Sequence, residues 1–221
     1  MIEYKVQIDP QNGAVVIQGD FAPGSIAVNI PDANDKKKKY ISYFLNKADI
    51  ERGIGYLNCI SLNNRQIVNE SLFISGLAMF AKCFAKSKSR NELDKKEFKS
   101  FSTQSTELFD KYYTWRNKHF LHDENSMTEA ISFLLILPEG NDDIFGGPPS
   151  VVWNSVPIDY IQEGIQLKCL LQEILKYVES QIDKLGNSIE GDYCDYTRDE
   201  LLAFGDPPFK LASTQAPGKN R

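Results

Sequence analysis

Polar and apolar positions change their rhythm several times along the 221 residues. Residues 1–30 alternate: YKVQI, AVVIQ and SIAVNI are separated by DPQNG and GDFAPG. Asn12-Gly13 is a hairpin signal between two β-prone runs, so two or three short strands are predicted. After Pro31-Asp32 the period becomes helical, from about residue 33 to residue 60. Tyr40, Phe44, Ala48 and Glu51 fall on one stripe with Ile41 and Leu45 beside it, and Gly53 and Gly55 weaken the last turns. NNRQIVNESLFISGLAMFAKCFAKSKS predicts a second helix, with Asn63 or Asn64 as its cap. Its middle is apolar nearly all round, which places it centrally.

The strongest periodicity follows. Asp94 and Glu97 form a capping-box-like start. One stripe then runs Phe98, Phe101, Ser105, Leu108, Tyr112, Trp115, His119, His122 in steps of three and four. It predicts a single long helix whose buried face continues into both histidines of the chain. EAISFLLILPEGNDD and PPSVVWNSVP read as a β-hairpin or extended insertion, broken by Gly140, Gly146-Gly147 and Pro148-Pro149. Another long helix is predicted from about Pro157 to Ile189, on the stripe Ile161, Ile165, Leu171, Leu175, Val178, Ile182, Leu185 and Ile189. Thr197-x-x-Glu200 caps a last short helix through Phe204.

These elements predict a mainly α fold: an antiparallel bundle of four to five helices with short N-terminal strands and a β-hairpin insertion. Residues 1–30 form the strand segment and 31–204 the bundle, with the insertion at about 130–155. The Pro/Gly/polar stretch 205–221 reads as a flexible tail.

Composition narrows the chemistry. Hydrophobic residues make up 42% and charged residues 25%, as in an ordinary globular domain. The net charge of −5 argues against broad electrostatic capture of nucleic acid but allows a local basic site. The N-terminal MIEYKVQIDPQ has no basic start followed by an apolar run, and SLFISGLAMFAKCFA is too short for a bilayer, so a cytoplasmic protein without a membrane partner is expected. The dispersed Cys59, Cys83, Cys169 and Cys194 read as small buried hydrophobes, and no metal site or cofactor is expected from their spacing. GIG at 53–55 lacks the Lys-Ser/Thr of a phosphate loop, and neither GxSxG nor HExxH occurs. KKKK at 36–39 reads as a solvated face, with an RNA-phosphate contact as the alternative.

Arg116, Asn117, Lys118, His119 and His122 gather behind the aromatic Tyr112, Tyr113 and Trp115. A helix C-terminus is an ordinary place for Arg, Lys and His, because cations complement the macrodipole there. The same group is also the minimal kit for metal-free RNA cleavage. A histidine near its unperturbed pKa exchanges protons with a 2′-hydroxyl or a leaving oxygen, and an arginine forks onto the phosphate. On one straight helix Arg116 shares a face with His119, whereas His122 points about 120° away. A looser helix end or a dimer interface would be needed to join Arg116 and His122. Tyr112, Tyr113 and Trp115 are base-stacking candidates, although helical spacing suits core or dimer packing for Tyr112 and Trp115.

RNKHFLH resembles the signature of the HEPN domain superfamily, in which an Arg, a polar residue and a His follow at short spacing near the end of a long helix. Here Arg116 and His122 are five residues apart in between, and Asn117 fills the polar slot. The resemblance implies a metal-independent endoribonuclease cutting RNA by 2′-hydroxyl attack, as in toxin–antitoxin and phage-defence effectors. It implies Arg116, Asn117 and His122 as catalytic residues. Lys118 and His119 are then RNA contacts, in a homodimer with a composite site and an antitoxin as a further partner. The alternative of another class is a non-catalytic HEPN-like module that binds a protein or a nucleotide. The strands at 1–30 and 130–155 are not explained by the motif.

Overall fold

The computed structural model describes residues 4–8, 15–19, 25–87, 90–116, 128–136, 147, 150–205 and 207. The chain is mainly α and divides into two units, Lys38–Asn187 and Met1–Lys37 with Ser188–Arg221.

In the second of these, β1 (Tyr4–Ile8) pairs antiparallel with β2 (Val15–Gly19), from Tyr4 opposite Gly19 to Ile8 opposite Val15. The Asn12-Gly13 turn lies outside the described residues. SIAVNI does not become a third strand. Its hydrogen bonding goes elsewhere: Asn29 N–H donates to the Gly205 carbonyl, and Lys37 Nζ donates to Asn29 Oδ1 and the Ile30 carbonyl.

Among the described residues four long helices make up the bundle: α1 (Asp35–Asn58), α2 (Gln66–Cys83), α3 (Thr103–Trp115) and, after a hairpin, α4 (Tyr160–Asp192). Their contacts give an up-down-up-down order. Along α1 and α2, Asn46 meets Cys83, Asp49 meets Lys82, and Leu57 meets Gly76. Along α1 and α4, Lys47 meets Glu179, Gly53 meets Leu171, and Ile60 beyond α1 meets Gly164. Along α2 and α3, Phe73 meets Tyr112 and Phe80 meets Phe109. Each partner number falls as the other rises, so each of these pairs is antiparallel. The hairpin consists of β3 (Thr128–Phe133) and β4 (Ser150–Ser155), paired from Thr128–Ser155 to Phe133–Ser150. The short α5 (Arg198–Leu202) starts with the predicted Thr197/Glu200 capping box.

The sequence pattern misplaces several details. α1 turns its polar side inward: Ser42, Asn46 and Asp49 are buried while Ile41 and Leu45 are 46% and 42% exposed. The reason is the connection after α2, which brings polar partners onto α1. Asn91 N–H donates to Ser42 Oγ, and Arg90 Nη1 lies 2.5 Å from Asp49 Oδ2. α2 starts on Arg65, without a side-chain cap; Asn64 is occupied instead with the Cys59 carbonyl and with Asn69. On α4 the buried residues are Leu167, Leu170, Leu171, Ile174, Val178, Ile182 and Ile189, and Ile165 is exposed.

The long helix predicted from Asp94 is two pieces. A 3₁₀ turn, Lys95–Ser100, is capped by Asp94 Oδ1 through Lys96 N–H. The chain is extended at Phe101, and Ser102 then caps α3 by accepting from Ser105 N–H. Serine competes with the helix for its own backbone, and at this point it wins. Glu97 does not close the predicted box; it accepts from the Tyr177 hydroxyl on α4.

Two pairs of outcomes test this packing. A Cβ on Gly76 would lie 2.8 Å from Leu57 Cγ and Cδ2, whereas one on Gly55 would meet nothing within 4 Å. Overpacking costs about 1–3 kcal/mol, more than the about 0.8–1.0 kcal/mol that alanine gains in a helix. Gly76→Ala should therefore lower the urea midpoint and Gly55→Ala raise it. Asp49 is buried with Arg90 and also bonds Lys82. Burial alone would raise its pKa, but hydrogen bonds from Lys82 and Arg90 outweigh this and hold it below the usual carboxylate value. Its stabilising contribution is present above the unfolded-state value of about 3.9 and disappears as the pH falls through the folded one. Asp49→Asn should cost about 3–5 kcal/mol at neutral pH and flatten the acid limb of the stability curve.

Candidate functional site

The site is built on the last turn of α3. Tyr112 is fully buried. Its hydroxyl lies 2.9 Å from a Glu163 carboxylate oxygen and 3.0 Å from the Glu163 carbonyl, at the start of α4. Burial first, and the Glu163 charge next, push this phenol far above its ordinary range, so it stays protonated and donates. Lys111 closes the group, with Nζ 2.6 and 2.8 Å from the two Glu163 oxygens. The same ammonium sits 4.8 Å from the Trp115 ring centroid. Trp115 is half-buried, edge-on to Phe73 and Tyr112 at 6.2 and 5.9 Å.

Arg116 caps this turn. Its φ and ψ are −57° and −47°, still helical, and its N–H reaches the carbonyls of Tyr112 and Tyr113. Its side chain is half-buried, with Nε shielded from solvent. Of the five polar residues singled out in the sequence, the structure places this one. Asn117, Lys118, His119 and His122 lie outside the described residues.

The aromatic candidates divide. Tyr112 is a core residue, half-buried Trp115 packs against the core, and both rings meet Phe73. Tyr113 is half-buried, stacked on Phe109 at 5.9 Å and 11°, with Lys95 Nζ 3.3 Å from its centroid. Lys95 and the Lys111–Glu163 pair escaped the sequence pattern because their roles depend on neighbours far away in the chain.

Other candidates lose their chemistry in three dimensions. In KKKK, Lys36 and Lys37 are half-buried, 2.6 Å from Asp192 and 2.7 Å from Asp32, so half of that run is neutralised locally. The four cysteines are free, but only Cys83 is buried as expected; Cys59, Cys169 and Cys194 are exposed. Burial pushes the Cys83 thiol up to about 12, which keeps it from acting as a nucleophile. Among the described residues no group of three His, Cys, Asp or Glu side chains is placed to hold a metal ion, and no helix is long and apolar enough to cross a membrane.

Compared with family models, curated proteins and solved structures, the chain finds no match.

Proposed function

We propose that the protein is a metal-independent endoribonuclease of HEPN type that cleaves RNA through its own 2′-hydroxyl. The observation that carries this is the position of Arg116: it closes the third helix of an up-down-up-down bundle, at the start of the RNKHFLH motif. In this mechanism the Arg116 guanidinium holds the scissile phosphate and stabilises the charge that builds on its oxygens. His122 takes the 2′-hydroxyl proton and returns a proton to the leaving 5′-oxygen. Asn117 orients these groups, and Lys118 and His119 contact flanking phosphates. Arg116 and His122 are six positions apart, so a homodimer that faces the two motifs across one cleft supplies the convergence that a straight helix does not. Cleavage of cellular RNA by such a dimer suits a toxin or phage-defence effector in the cytoplasm, held in check by a cognate antitoxin.

One observation favours a second proposal, a non-catalytic module of the same shape that binds a protein or nucleotide. The Arg116 side chain is half-buried with Nε out of solvent, as in an arginine that fastens a helix end.

Incubating the purified chain with single-stranded RNA in excess EDTA separates the two. The enzyme yields 2′,3′-cyclic phosphate and 5′-hydroxyl ends and leaves the all-DNA analogue intact. His122→Ala should lower the rate by about 10²–10⁴-fold and Arg116→Ala by about 10²–10³-fold, with unchanged circular dichroism. Full RNase activity in either variant, or none in the parent chain, sinks the enzyme and leaves the module.

A further inference from the structure

A recess of about 190 Å³ opens between the 3₁₀ turn and the first turns of α3. Three phenylalanines, Phe98, Phe101 and Phe109, line it together with the hydroxyl residues Ser105 and Thr106. Phe98 and Phe101 meet edge-on at 5.0 Å, and Phe98 lies nearly parallel to Phe109 at 6.2 Å. Two exposed charges, Lys95 and Asp110, border the same space. They are not paired with each other, nor with any other charged side chain among the described residues. Sites for drug-sized ligands run to about 300–1,000 Å³, so this one has room for a single flat ring system and not for a whole nucleotide.

The two charges say which ring system. A flat heterocycle lying on the phenylalanines presents its edge to an ammonium and a carboxylate together. Guanine offers a carbonyl oxygen, O6, followed by two donors, N1–H and the N2 amino group. The oxygen suits Lys95 and the donor pair suits Asp110. Adenine and cytosine place an amino donor where guanine has O6, facing the ammonium. Uracil places a second carbonyl oxygen toward the carboxylate. We propose that this recess takes a guanine base of single-stranded RNA, which makes it a specificity subsite of the ribonuclease and rests on that function.

Its place on the bundle suits such a strand. Phe109, Tyr113 and Arg116 follow at steps of four and three, on one face of α3. Seven residues of helix span about 10 Å, a distance that a short stretch of single strand covers between a seated base and a phosphate at Arg116. Lys95 lies along that track, 5.1 Å from the Phe109 centroid and 3.3 Å from that of Tyr113. Its ammonium continues the positive side of the path.

Fluorescence anisotropy on the full chain carrying His122→Ala, in which cleavage is slowed about 10²–10⁴-fold, tests this. Labelled single-stranded RNA with one guanine should bind about tenfold or more tighter than the same strand with adenine there. Asp110→Ala, at an exposed position, should remove that difference, and Phe101→Ala should weaken both strands. Free GMP should compete, and AMP should not. Equal affinity for the two strands, or a guanine preference that survives Asp110→Ala, overturns the subsite. So does displacement of the strand by N-acetyltryptophanamide but not by GMP, which would mark a peptide groove. Cleavage without guanine preference removes the subsite and leaves the ribonuclease. A guanine preference without cleavage in the parent chain does the reverse.

Discussion

The bundle hangs on one apolar, mostly aromatic row carried by α2 and its C-cap residue Phe84. Phe73, Leu77, Phe80 and Phe84 follow in steps of four, three and four, and all four are buried. Phe73 meets Tyr112 and Trp115 at one end of α3. Phe80 and Phe84 meet Phe109, and Phe84 reaches Phe98 in the 3₁₀ turn. Burying each such ring is worth about 1.5–3 kcal/mol, and each edge-to-face contact about 0.5–1.5 kcal/mol more. These contacts fix both the rotation of α3 and its position along α2. The end of α3, and with it Arg116, is set by packing that contains no candidate catalytic group.

The side of α2 next to this row, where α1 packs, is held differently. Gly53 and Gly76 let α1 come close, so that Leu57 lies against the α2 backbone. Further along the pair, polar groups replace apolar ones. Arg90 donates to Asp49 and to the Lys82 carbonyl, and Leu93 N–H donates to the Cys83 carbonyl. This knot fastens the segment between α2 and the 3₁₀ turn, which determines where Asp94 begins its cap. A buried ion pair is weak evidence for stability, since desolvation offsets much of its attraction. Its use here is to fix the path of one connection, and the aromatic row then needs only one way to close.

The number of helices and their order were legible in the sequence because long periodic runs carry that information directly. The hairpin insertion and the Thr197/Glu200 cap were legible for the same reason, each being a local pattern. The inward face of α1 was not. Its apolar residues favour Ile41 and Leu45, while the buried positions are chosen by Arg90 and Asn91, more than forty residues away. The break at Ser102 was hidden by an unbroken stripe: Phe98 in the 3₁₀ turn and Phe101 in the extended residue after it still pack against the core, as they would from an α-helix. At the candidate site, the packing of Tyr112 and Trp115 against the core was legible from spacing. Glu163 was not, because nothing near it in the chain marks it as the partner of Lys111 and Tyr112.

That carboxylate matters for any anion at Arg116. Glu163 lies opposite the turn that ends in Arg116, and an unmatched negative charge there would oppose a phosphate. Lys111 neutralises it through both oxygens, and the Tyr112 hydroxyl adds a donor to one of them. The partly buried setting makes this compensation stronger than it would be in open water. The Glu163 charge at the start of α4 is therefore compensated locally, within a chain that is acidic as a whole. The last carbonyls of α3 work the other way, since a helix C-terminus is negative by about half a charge. Arg116 meets that charge from the capping position. In the proposed reaction a phosphate at this place would meet a residue that already caps the helix, so one side chain would serve both the helix end and the substrate.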